Sequence, residues 1–199
     1  MNKGLVVAIT GQSGCGKSTL SQFYMSKGLT VIDCDEVAKY VRTITDCQLK
    51  LAEYFGYDII KEGRIDTKLL SRRAFSSADN LQKLTDITHP FIEQEILDRA
   101  KEAFYRGEQL VFVYGAVIIG HTVEKHCNKF IVVVAELETQ CARLMKRDNI
   151  TYEQAKTRIL KQTPYSDMLK KADYVINNNK SVESLILQGE LILRQLTKI

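Results

Sequence analysis

The sequence predicts a three-layer α/β fold: a parallel central sheet between helices, with a helical insertion after the second strand and a smaller helical segment later on. Three observations predict it. The four β-branched runs Leu5–Thr10, 29–33, Leu110–Tyr114 and 130–135 are continuously apolar rather than alternating, as strands covered on both faces must be. Segments of helical periodicity lie between them, which calls for parallel strands joined by crossovers. The spacing is uneven, because no strand run occurs between Asp35 and Glu108.

Each element follows in order. After the first run, Leu20, Phe23 and Tyr24 share a helical face and Gly28 is a stop signal. The second run ends in Asp33-Cys34-Asp35, and Asp35 is placed to cap the helical stretch 36–41. Residues 35–108 show helical patterns broken at Gly56-Tyr57 and Glu62-Gly63-Arg64, too long for an ordinary crossover. Within them, Pro90 is expected to open a helix that buries Phe91, Ile92, Ile96, Ala100 and Ala103, with His89 at its cap. A polar helical segment spans 138–171, and Thr151-x-x-Gln154 is a capping box opening a helix on which Arg158 and Gln162 align at i, i+4. Tyr174–Asn177 is a weaker fifth strand, and a last helix from Ser181 buries Val182, Leu185, Gly189, Ile192 and Leu196.

Composition excludes several classes. The chain has 199 residues, 45% of them hydrophobic and 26% charged, which rules out a disordered tail, a collagen or a coiled coil. A chain of this length buries about 70% of its unfolded surface and needs no disulfide or metal staple. The five cysteines are odd in number and form no C-x-x-C, so neither a disulfide framework nor a zinc ribbon is expected, and a reduced cytosol suits them. His121, His126 and Cys127 lack a fourth ligand at zinc spacing. The N-terminal run is too short for a signal peptide and residues 110–120 are too short to span a bilayer, so a cytoplasmic protein with no membrane partner is expected. The net charge is +4, and segment 138–171, with eight Lys or Arg against four Asp or Glu, carries all of it. Such a local excess reads as a phosphate clamp rather than a nucleic-acid surface.

Gly11-Gln-Ser-Gly-Cys-Gly-Lys-Ser18 matches G-x-x-x-x-G-K-[ST] with a buried strand before it and a helix after it. In such a phosphate loop, glycines let successive backbone N–H groups converge on phosphate oxygens, and the helix N-terminus adds positive potential. Gly11, Ser13, Gly14, Cys15, Gly16 and Lys17 are therefore the candidate ATP-binding residues, with Lys17 a mobile charge for the β/γ-phosphates. The Ser18 hydroxyl can join the shell of Mg²⁺. Cys15 could be a thiolate beside that positive charge. Asn178-Asn179-Lys180 is followed by Ser181 and Val182, so the guanine-reading pattern of a GTPase fails. A small chain with a helical insertion and a basic segment suits a kinase of small molecules. In that plan 1–35, 109–137 and 172–199 form the nucleotide-binding core, 36–108 holds the acceptor and 138–171 is the lid.

Asp33 and Asp35 stand at the carboxyl end of the second strand, where open parallel sheets bind ligands. One could take a proton from an attacking hydroxyl and the other hold metal or acceptor. In the lid, Gln140, Arg143 and Arg147 share one helical face while Cys141 and Leu144 lie on another. Lid guanidinium groups neutralise charge on a transferring phosphoryl group, although a solvated charged face has the same pattern.

At these residues the chain resembles the dephospho-CoA kinase family over nearly its whole length. The segments that carry the resemblance are Thr10 to Thr19, Val31-Ile-Asp-Cys-Asp-Glu-Val-Ala38, Glu62-Gly-Arg-Ile-Asp66, Ile87-Thr-His-Pro90, Glu138-Thr-Gln140 with Arg143 and Arg147-Asp148, Arg158 with Gln162, and Ala172-Asp-Tyr-Val-Ile-Asn-Asn178. The resemblance implies transfer of the ATP γ-phosphoryl group to the ribose 3′-hydroxyl of dephospho-CoA with Mg²⁺. It implies Asp33 as general base, Lys17 and Arg143 as catalytic cations, Thr19 and Asn177 as further nucleotide contacts, and Asp35, His89 and Arg158 on the acceptor side. A monomer or weak homo-oligomer is expected. One segment departs: where the family has Pro-Leu-Leu-Phe-Glu after its third strand, often preceded by Asp, this chain has Ala116-Val-Ile-Ile-Gly120, with Tyr114 at the Asp position. Alternative readings are a kinase of another small acceptor, such as a nucleoside or nucleotide, or a non-catalytic ATP-binding relative.

Overall fold

A computed structural model of the chain describes residues 4–116 and 118–198. Met1, Asn2 and Lys3 of the N-terminal expectation, and Val117 of the departing segment, lie outside the described residues. The elements run β1 (Leu5–Thr10), α1 (Lys17–Ser26), β2 (Thr30–Asp33), α2 (Cys34–Val41), α3 (Thr45–Phe55), β3 (Ile60–Lys61), β4 (Arg64–Ile65), α4 (Thr67–Ala74) and α5 (Ala78–Tyr105). They continue with β5 (Leu110–Tyr114), β6 (Lys129–Val134), α6 (Leu137–Asp148), α7 (Tyr152–Leu160), α8 (Tyr165–Leu169), β7 (Tyr174–Asn177) and α9 (Val182–Leu196). Two compact units result: the described residues up to Ile32 with those from Ala100 onward, and residues 33–99.

The first unit is the α/β sandwich. Its sheet has the order β2-β5-β1-β6-β7. β1 pairs in parallel with β5, Val7 opposite Phe112, and with β6, Ile9 opposite Ile131. β6 pairs in parallel with β7, Val133 opposite Ile176. The central strand explains the continuous apolar runs: Val7 and Ile9 on one face and Ala8 on the other are all fully buried. Val7, Ile9, Phe112, Ile131, Val133 and Ile176 join Leu20 and Tyr24 of α1 and Leu185, Ile192 and Leu196 of α9 in one core. At the helix crossing, the Tyr24 hydroxyl donates to the Gly189 carbonyl at 3.0 Å, and a Cβ on Gly189 would stand 2.5 Å from Leu20 Cδ1. Val182, expected to be buried, is half exposed in the first turn of α9.

The second unit corrects the sequence reading at two places. Pro90 does not open a helix; it lies inside α5, which runs on from Ala78. Ser77 Oγ accepts from the Asn80 N–H at 3.1 Å near the true start. The helix tolerates the N–H that proline removes because Leu84, Ile87 and Phe91 on both sides of it pack onto one core with Leu51, Ile59 and Leu70. The Glu62-Gly63 break is a hairpin: β3 and β4 pair antiparallel, and both turn residues have positive φ, 50° and 74°. That conformation matches a two-residue hairpin turn, and a non-glycine residue in it hid the signal.

Gly189→Val is expected to destabilise the protein by about 1–3 kcal/mol, because a Cβ there already meets Leu20 Cδ1 at 2.5 Å, with Tyr24 Oη at 3.5 Å and Phe23 Cδ1 at 3.6 Å, and the branches add further bulk. A urea melt measures it, and an unchanged midpoint would mean that α1 and α9 do not cross at Gly189.

Candidate active site

The chain leaves the centre of the sheet at Thr10, turns through 11–16 and enters α1 at Lys17. Gly14 and Gly16 take φ of 80° and 104°. A Cβ at Gly14 would stand 2.7 Å from the Gln140 carbonyl oxygen, and one at Gly16 would stand 2.1 Å from Asn178 Nδ2. Glycine is thus required by conformation and by close packing from behind. On that rear side Asn178 Nδ2 donates to the Cys15 carbonyl at 2.8 Å, and Arg143 donates to the Gly14 carbonyl at 3.3 Å and the Asn178 carbonyl at 3.0 Å. In a trans peptide the N–H points opposite to the preceding C=O, so binding the Cys15 carbonyl turns the Gly16 N–H away from Asn178. α1 has Gly16 as N-cap, with no side-chain cap and no acid in its first turn. Its first amides and its positive end therefore serve the loop. Lys17 Nζ donates to the Gly11 and Gln12 carbonyls at 2.8 and 3.1 Å. Ser18 is exposed and Thr19 half-buried on the same turn.

Cys15 stands in surroundings that disfavour the expected thiolate. It is fully buried, and burial pushes its thiol up, with Lys17 and then Arg143 opposing less strongly. It serves through its backbone. Asn177 is exposed, its N–H donating to Gln188 Oε1 and its Oδ1 accepting from the Asn179 N–H, while the buried Asn178, which sequence reasoning did not single out, is the residue that braces the loop backbone.

Segment 138–171 forms α6, α7 and α8, with Cys141, Leu144, Ala155 and Ile159 as a small core between α6 and α7. The face pattern of α6 holds where it matters: Gln140 is buried, its Nε2 donating to the Tyr165 hydroxyl at 2.7 Å, and Arg143 lies on the loop. The expected capping box of Thr151 and Gln154 is present. Four of the segment's basic side chains are engaged in ion pairs. Arg147 and Arg158 both pair with Asp148 at 2.7 Å, Lys170 with Asp167 at 2.7 Å, and Lys171 with Glu124 at 2.5 Å. The Arg147 hydrogen bond, with help from Arg158, draws the Asp148 carboxyl down to about 2. Gln162 lies beyond the end of α7 rather than on it, and its Oε1 accepts from the Ser13 N–H at 2.7 Å. Beside it Gln12 Nε2 donates to the Thr163 carbonyl at 3.2 Å.

The acidic candidates divide. Asp33, not Asp35, is the N-cap of α2: its Oδ1 accepts from the N–H groups of Asp35 at 2.8 Å and Glu36 at 3.3 Å. Asp35 is exposed in the first turn. His89 lies in mid-helix within α5 rather than at its start. In the loop that departs from the family pattern, the Gly120 N–H donates to Glu124 Oε2 at 2.6 Å. That hydrogen bond and Lys171 hold the Glu124 carboxyl below its ordinary value. A carboxylate four residues along thus lies on the backbone of Gly120. Among the described residues no group of three or more His, Cys, Asp or Glu could hold a metal, and no helix is long and apolar enough to cross a membrane.

A parallel sheet with a phosphate loop after its central strand, backed by a helical segment, defines a P-loop kinase. The model of the family described as dephospho-CoA kinase matches residues 5–184, and the chain belongs to that family. It is 34% identical over 198 residues to the dephospho-CoA kinase of Listeria monocytogenes serovar 1/2a, covering 98% of each chain. Among solved structures it is similar to a Thermus thermophilus protein, with TM-score 0.81 and 26% identity over 97% of this chain and 98% of that one. It is also similar to the dephospho-CoA kinase from Campylobacter jejuni, with TM-score 0.74 and 26% identity over 97% of each.

The Asp148 pair has a testable pH signature. A carboxyl lowered in the folded state contributes stability that is complete above its unfolded value of 3.8 and is lost as pH falls toward about 2. Carboxyl ¹³C shifts should show a midpoint near 2, and Asp148→Asn should flatten the acid limb of the stability curve between those values. A midpoint near 3.8 would mean that the arginines do not hold it.

Proposed function

We propose that this chain transfers the γ-phosphoryl group of ATP to the 3′-hydroxyl of the dephospho-CoA ribose, giving CoA and ADP. The observation that carries the reading is the loop 11–16, whose carbonyls are held from behind by Asn178 and Arg143 while α1 opens beside it uncapped. The acceptor oxygen forms a bond to the γ-phosphorus, the bond to the bridging β,γ oxygen breaks, and the hydroxyl proton passes to Asp33. Asp33 suits this role because its carboxylate is oriented at the carboxyl end of β2 by two backbone N–H groups. Lys17 leaves the Gly11 and Gln12 carbonyls for the β/γ-phosphates, and Arg143 neutralises charge from its place beside Gly14.

Mg²⁺ takes one or two hard oxygen ligands from protein and the rest from phosphate and water. The exposed hydroxyl of Ser18, on the first turn of α1, fits that donor set, and the ion would supply charge neutralisation at the phosphates. Thr19 lies on the same turn as a nucleotide contact. Asp35 and His89 are acceptor-side candidates, as is Arg158, which is paired with Asp148.

An acceptor panel with coupled ADP detection tests the reading. Dephospho-CoA should be phosphorylated faster than AMP or any nucleoside, and faster turnover of either would contradict it. Asparagine caps a helix as well as aspartate does, so Asp33→Asn should leave thermal stability within about 0.5 kcal/mol while lowering kcat by about 10²–10⁴-fold. Weaker ATP binding with unchanged kcat would make Asp33 a binding residue.

A further inference from the structure

Gln162 is a residue of the lid segment that touches the phosphate loop at a backbone donor. Its main chain is anchored by its N–H to the Ile159 carbonyl at 3.0 Å, and its side chain reaches the Ser13 N–H at 2.7 Å. The neighbouring bond from Gln12 to the Thr163 carbonyl seats residues 162–163 directly on residues 12–13. Lys17 meanwhile rests on the Gly11 and Gln12 carbonyls. Two donors of the loop are thus satisfied by acceptors of the protein itself. An amide carbonyl oxygen offers a backbone N–H what a phosphate oxygen offers, without the charge, and one N–H holds one strong acceptor at a time.

We propose that Gln162 is a built-in competitor for polyphosphate, its Oε1 standing where a phosphate oxygen would bind and withdrawing when nucleotide enters. The turn after α7 is then released by the filling of the loop, which couples nucleotide entry to movement of the segment between α7 and α8. Apparent affinity is the intrinsic affinity reduced by the fraction of molecules in which Ser13 is released, so removing the competitor tightens binding. The proposal rests on the reading of 11–18 as the phosphate site.

Calorimetric titration with tripolyphosphate and with ATP tests it, using wild type, Gln162→Ala, Gln162→Met, Gln162→Glu and Lys17→Ala. Loss of one neutral hydrogen bond to the competitor should tighten binding of both probes roughly three- to tenfold in the Ala and Met variants. The Glu variant keeps an acceptor for Ser13 and adds repulsion, so it should weaken both. These opposite signs are not expected of a residue that only supports the fold. Unchanged or weaker binding in Ala and Met, or a shift of Glu in the same direction as Ala, would overturn the proposal. If Lys17→Ala abolishes binding while Gln162→Ala does not tighten it, the competitor is wrong and the phosphate site stands. If Lys17→Ala binds like wild type, the phosphate site itself is wrong.

Discussion

A phosphate loop must aim its N–H groups to one side, and every carbonyl turned the other way then needs a partner that is not water. The remainder of this structure is organised around meeting that demand. The Cys15 carbonyl receives Asn178, which stands next to the end of β7, and the Gly14 carbonyl receives Arg143 from α6. Arg143 also binds the Asn178 carbonyl, so the two supports lock each other. Gly14 and Gly16 have no Cβ because Gln140 and Asn178 lie where it would be. β1 has to be the central strand, buried on both faces, for the loop to leave the sheet from a fixed point with β6 and β7 on the side that carries its supports.

Much of this was legible in the sequence, for physical reasons. A strand covered on both faces must be apolar throughout, so β1, β5 and β6 stood out, and the glycine and lysine spacing of residues 11–18 carried its own chemistry. The face pattern of α6 separated Cys141 and Leu144, which pack, from Gln140 and Arg143, which serve the loop. Failures came where one residue of register or one tertiary contact decides. Asn177 is the last residue of β7 and exposed, Asn178 follows it and is buried, and nothing local says which one meets Cys15. Asp33 and Asp35 are equally good caps by type, and only the end of β2 selects Asp33. Pro90 is a start signal in isolation, but the packing of Ile87 and Phe91 carries the helix through it.

Half of the basic side chains of segment 138–171 are engaged in ion pairs within the fold. Four of its basic side chains are spent on Asp148, Asp167 and Glu124, while the phosphate loop receives one guanidinium, that of Arg143, and one neutral amide, that of Gln162. Glu124, held by Gly120 and Lys171, places a carboxylate in the loop where the family pattern is lost.

The central claim is that residues 11–18, held open by Asn178 and Arg143, receive the polyphosphate. The most direct measurement is the amide ¹H–¹⁵N spectrum of the whole chain during titration with ATP. The largest shifts should fall on Ser13, Gly14, Cys15, Gly16, Lys17 and Ser18, with Asn178 moving alongside them. Saturable binding that leaves those amides in place and shifts residues elsewhere would contradict the account.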